Sequence, residues 1–148
     1  MRVWPKLWGA VAALALVFAP AAAAQTVPEA RADELAAVLN AHTTALARER
    51  FALAAGPLTG AARTEAERFT VRLWAGQEYV FAGACDTACG DLDLRVIDRR
   101  GVVLAQDGGA VAPVLRVTPA ITGQHVIEAR PARCRADACW FAVNVYAR

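Results

Sequence analysis

The chain is predicted to be mainly β: an antiparallel β-sandwich of jelly-roll type with about eight strands, preceded by one N-terminal amphipathic helix. Three observations predict this. From Phe69 onward, apolar residues recur at a period of two. Gly- and Pro-marked turns separate these runs at regular intervals, the pattern of a sandwich rather than of a parallel sheet. Between residues 28 and 48 the period is instead that of a helix.

Taken in order, the first stretch, "MRVWPKLWGAVAALALVFAPAAAAQT", has the form of a signal peptide. Arg2 and Lys6 give it a basic start, and Leu7 to Ala19 is almost wholly apolar. Ala22 and Ala24 supply the small side chains of a cleavage site, so residues 1–24 are expected to be removed. The apolar run falls short of the roughly 20 residues needed to cross a bilayer. No cysteine follows it, which argues against a lipoprotein. No stable membrane span is expected after cleavage.

Residues 25–50 form the helical segment. Thr26 with Glu29 fits a capping box, and Pro28 suits a first turn. Leu35, Val38, Leu39, His42 and Leu46 make one stripe, with His42 at its edge. Residues 51–148 form the sandwich. "FALAA" is a first strand and "GPLTG", Gly56 to Gly60, a turn. "RFTVRLW" and "EYVFAGA" follow as strands about an Ala-Gly-Gln turn. In "DLDLRVID", Leu92, Leu94 and Val96 take one face, and Asp91, Asp93 and Arg95 the other. "RRG" turns into "VVLAQ" as a hairpin, and "PVLRVTP", "GQHVIEAR" and "CWFAVNVYAR" complete the set.

The formal charge of +2 belongs wholly to Arg2 and Lys6, so residues 25–148 are neutral. Their arginines are scattered, which leaves no footprint for a phosphate backbone and excludes nucleic acid as an expected partner. Cys85, Cys89, Cys134 and Cys139 are expected as two disulfides in an exported domain, with three pairings possible. A crossed pairing closes the longer loop and stabilises more on the chain-entropy model. Nearness in sequence favours local closure, Cys85 with Cys89 and Cys134 with Cys139.

The succession "LWAGQEYVFAGACDTACGDLDLRVIDRRGVVLAQD", then "TGQHVIEA" and a last strand after a cysteine pair, resembles the bacterial pre-peptidase C-terminal domain. It is most similar to a stand-alone exported form, over about Phe69 to Tyr146. The resemblance implies a jelly-roll β-sandwich serving in binding, secretion or stability, sometimes with calcium. This chain has no peptidase domain beside it, unlike the usual arrangement.

The chain contains no serine, which excludes a serine nucleophile, and oxidised cysteines are no thiolate nucleophiles. Only His42 and His125 remain as imidazoles. Asp91 and Asp93, two apart on a strand, with Asp86 and Asp107 from nearby loops, are candidate oxygen ligands for calcium. The competing reading makes them turn caps, or pairs Asp93 with Arg95. Trp74 and Trp140 fall on the polar phase of their strands and are candidate stacking surfaces for sugar or peptide. The expected function is a non-catalytic binding or stabilising module of the cell envelope, periplasmic or secreted. Its expected partner is an envelope protein or a polysaccharide. The alternatives are a calcium-stabilised module binding carbohydrate or protein, and a hydrolase using acidic residues.

Overall fold

A computed structural model describes residues 26–148, so the expected signal peptide lies outside the described residues. One helix, α1 (Glu29–Arg48), precedes eight strands. These are β1 (Ala52–Ala62), β2 (Glu67–Leu73), β3 (Tyr79–Cys85), β4 (Leu92–Ile97), β5 (Val103–Asp107), β6 (Val114–Val117), β7 (Gly123–Pro131) and β8 (Cys139–Ala147). They form two antiparallel four-stranded sheets, β1-β8-β3-β6 and β2-β7-β4-β5. The pairings are nested: β4 with β5 at the tip, then β3 with β6, β2 with β7 and β1 with β8. One long ribbon is thus rolled over itself, which is the jelly roll that the period-two runs predict.

The two sheets enclose a core of Leu73, Phe81, Leu92, Leu94, Val96, Ile127, Phe141, Val143 and Val145. Strands β2, β4 and β7 alternate between this core and a polar outer face. Strands β3 and β8 do not alternate. Every residue of β3 is buried, as are all but the second and last of β8. Their second face is covered by α1: Leu46 packs with Val80, Ala82 and Tyr146, while Leu35 and Leu39 pack with Ala84 and Ala142. The molecule therefore has three layers, helix on sheet on sheet.

Two local expectations are corrected. The capping box does not form, because the helix begins at Glu29 behind Pro28 and no side chain caps it. The Pro28 carbonyl instead accepts from the N–H groups of Arg31 and Ala32. "GPLTG" is not a turn between strands but the middle of β1, which runs through it with register shifts between Leu53 and Leu58. The strand tolerates Gly and Pro there because β1 is an edge strand, and a bulge needs no continuous ladder. The other expected turn holds: Asp98 closes the β4–β5 hairpin by accepting from the N–H groups of Arg100 and Val102.

Gly56 is the residue that this bulge requires. Its φ of +116° suits glycine alone, and an added Cβ would stand 2.6 Å from Asn144 Oδ1 and 2.9 Å from the Val143 carbonyl. We expect G56A to lower stability by about 1–3 kcal/mol in urea unfolding, from backbone strain and displaced neighbours. A variant as stable as the parent would contradict the description of this edge.

Candidate functional site

The stretch Cys85–Gly101 opens with a disulfide-closed loop. Cys85 bonds Cys89 and Cys134 bonds Cys139, so the pairing is local. On the chain-entropy model such small loops contribute about 2 kcal/mol each. Asp86, only 1 % exposed, organises the first loop. Its two carboxylate oxygens accept from the Ala88 N–H at 3.1 Å and the Trp140 N–H at 3.1 Å, tying the loop to β8. Arg31 of α1 approaches it at 3.7 Å. One residue on, the Thr87 N–H donates to Glu34 at 3.0 Å, so the first turns of the helix grip this loop. That N–H, together with Arg31, holds the Glu34 carboxyl below its usual range. The grip is therefore complete above the ordinary glutamate value and is lost as pH falls through the lowered one.

The other aspartates are engaged elsewhere. Asp91 accepts from the Gly109 N–H at 2.8 Å and faces Arg133 at 3.6 Å. Asp93 pairs with Arg130 directly opposite on β7, and not with Arg95, which reaches Glu128 at 3.5 Å. Asp107 lines a shallow polar depression with Asp93 and Arg95. Asp86 thus serves the helix side of the molecule, while Asp91 and Asp93 serve the β5–β6 loop and the outer face of the second sheet. Among the described residues, no group of three or more His, Cys, Asp or Glu is placed to hold a metal ion. Across the outer face, Arg68, Glu128 and Arg95 form a row in which both arginines share one carboxylate.

The two tryptophans part company. Trp74 is 54 % exposed, at the end of β2, with the Arg72 guanidinium 5.0 Å above its ring. Trp140 is half-buried and packs against the Leu35, Leu39, Ala84 and Ala142 cluster. The polar phase of β8 faces the helix rather than solvent, so Trp140 is part of an interface and offers no open stacking surface.

Between α1 and β1 lies an apolar groove of about 370 Å³, lined by Leu35, Leu39, Leu53, Pro57, Ala142 and Asn144 among others. At its floor runs a hydrogen-bond chain. Thr43 Oγ1 donates to the Leu39 carbonyl at 2.9 Å. Tyr146 Oη lies 2.7 Å from Thr43 Oγ1 and 3.5 Å from the Leu39 carbonyl, so the two hydroxyls share that carbonyl and each other. Asn144 Nδ2 donates to Tyr146 Oη at 3.1 Å. Asn144 Oδ1 is left buried with no partner. An orphaned buried acceptor costs about 1–3 kcal/mol. The groove lining is mostly apolar, with Asn40, Thr43, Thr59 and Asn144 as its polar residues, and Asn144 Oδ1 lies buried beside it under the Gly56 bulge.

Sequence reasoning did not single out Asn144, Tyr146 or Thr43. The available signal was Asn144 itself, the one polar side chain within "WFAVNVYA". The structure also separates the aspartates by burial. We expect D86A to lower stability by about 3 kcal/mol or more, since it strands buried donors and Arg31. D93A, which breaks a more exposed ion pair, is expected to cost about 1 kcal/mol or less in the same urea titration. Equal losses would contradict the assignment of Asp86 as the loop's organiser.

No family model matches the chain, and no curated protein matches it.

Proposed function

We propose that this protein is a non-catalytic binding module of the cell envelope, and that it binds through the groove between α1 and β1. The observation that carries this reading is Asn144 Oδ1, a buried acceptor without a partner among the described residues, beside a mostly apolar groove. Such an acceptor calls for a hydrogen-bond partner, which a ligand N–H in the neighbouring groove can supply. The groove favours an envelope protein over a polysaccharide. A sugar brings many hydroxyls that apolar walls leave unpaired. An apolar peptide segment brings backbone N–H groups, one of which meets Asn144. Because the Gly56–Pro57 bulge overlies Oδ1, binding lifts the bulge outward at the free edge of β1.

Two disulfides are in keeping with an oxidising, extracellular-type compartment, and no helix among the described residues is long and apolar enough to cross a membrane. Export to the periplasm or beyond rests on residues 1–24. The relation to pre-peptidase C-terminal domains remains part of this proposal, resting on the Ala-Gly-Gln turn and the strand that opens at Asp91. Calcium at Asp91 and Asp93 is the weaker reading, since each carboxylate already has an arginine.

The test pairs stability with binding. N144L removes the orphaned acceptor together with the Nδ2 bond to Tyr146 and keeps the branched shape, so we expect its stability to stay within about 1–2 kcal/mol of the parent and the protein to remain folded. In the parent, acetylated and amidated tripeptides of leucine and valine are expected to bind saturably, followed by Trp140 fluorescence, and N144L is expected to lose that binding. No saturable binding by the parent, or equal binding by both proteins, would count against the groove.

A further inference from the structure

Cys89 and Cys134 belong to different disulfides, yet they face each other as an isolated antiparallel bridge. The Gly90 N–H donates to the Arg133 carbonyl at 2.7 Å, and the Arg135 N–H to the Ala88 carbonyl at 3.0 Å. These two bonds flank the cysteines and leave none between them, which is the closer kind of antiparallel pair. In pairs of this kind the Cα atoms typically stand about 4.5 Å apart, with both side chains on one side. Disulfides span Cα separations of about 4.4–6.8 Å. Cys89 therefore has a second sulfur within bonding reach, besides that of Cys85 at a Cα separation of 5.8 Å. Cys85, Cys89 and Cys139 belong to the core between the sheets, and Cys134 packs against it.

The four are not equally accessible. Cys85, Cys89 and Cys139 are buried, whereas Cys134 is half-buried between Arg133 and Arg135, both exposed. Of the four, Cys134 is therefore the sulfur an external thiolate reaches most readily. Once released, Cys134 is the thiolate best placed to attack, and the sulfur opposite it is Cys89.

We propose that the two disulfides form a thiol–disulfide exchange site for an external dithiol reductant, with Cys134 as the internal nucleophile. A thiolate of the reductant attacks Cys134 Sγ and breaks the Cys134–Cys139 bond, and the electron pair leaves on Cys139, which takes a proton. The second thiolate of the reductant attacks the mixed disulfide and leaves as part of an oxidised reductant, freeing Cys134 as thiolate. Cys134 then attacks Cys89 Sγ, forming the Cys89–Cys134 bond and breaking Cys85–Cys89. The electron pair leaves on Cys85, which is protonated. The first two steps move two electrons from reductant to protein, and the third is neutral in redox. The product carries thiols at Cys85 and Cys139 and one disulfide across the two loops. Exchange opens the ring that presents Thr87 to Glu34, so an external reductant acts on the grip between helix and sheet.

The test is partial reduction of the full chain, both disulfides formed, with one equivalent of dithiothreitol, followed by an acid quench, alkylation and peptide mapping. The expected two-thiol species has label on Cys85 and Cys139, with Cys89 linked to Cys134. Label on Cys134 and Cys139 with Cys85–Cys89 intact would overturn the proposal. So would label on Cys85 and Cys89, or passage straight to four thiols. In C139A, which releases Cys134 without reductant, label is expected on Cys85 alone, and label on Cys134 would again overturn it. Should C139A fail to fold, partial reduction of the parent decides the matter by itself.

Discussion

Strands β3 and β8 are apolar on both faces, and a two-layer sandwich can bury only one of them. Phe81, Phe141, Val143 and Val145 enter the core between the sheets, while Val80, Ala82, Ala84, Ala142 and Tyr146 point the other way. Left in water, that second face would be the kind of apolar patch that draws association. The helix α1 covers it with Leu35, Leu39 and Leu46. Most of a helix's stability in a protein comes from packing its apolar face, so the 20-residue helix and the sheet stabilise each other. The polar consequence is the chain from Asn144 through Tyr146 to Thr43, which lets a tyrosine and an asparagine sit between two apolar layers.

The same need explains the stretch around Cys85. A helix laid on a sheet requires fixing at its ends. The N-terminal end is held by Glu34 and Arg31 on the Asp86–Thr87 loop, which the disulfide keeps small and Asp86 ties to β8. The C-terminal end is held at Phe51, which packs in the Leu46, Val80 and Tyr146 cluster beneath the guanidinium groups of Arg116 and Arg148. A groove is left only where β1 bulges away at Gly56 and Pro57, and the orphaned oxygen of Asn144 lies there. Anchoring, disulfide loop and groove are thus parts of one solution to one burial problem.

The sandwich was legible because its strands write alternation into the sequence: in β4, Leu92, Leu94 and Val96 face the core and Asp93 and Arg95 face out. The local disulfides were legible from spacing. The third layer was not, although its trace is present. "YVFAGAC" and "CWFAVNVYA" lack alternation, and such strands are buried on both faces. Reading them by a period of two placed Trp140 on an open face when it lies against the helix. Spacing along a strand says nothing of the cross-strand partner, which is why Arg130 on β7, and not Arg95, meets Asp93. Gly56 to Gly60 misled in the opposite way, since a bulge in an edge strand has the composition of a turn.

The central claim is that α1 is an integral layer rather than an attachment. Native-state hydrogen exchange in sub-denaturing urea tests it most directly, because it resolves which segments open together. The amides of Leu39 to Leu46 are expected to exchange only through the same opening that releases Val80–Ala84 and Ala142–Tyr146. Helix amides that exchange at a much lower free energy, while β3 and β8 stay protected, would contradict it.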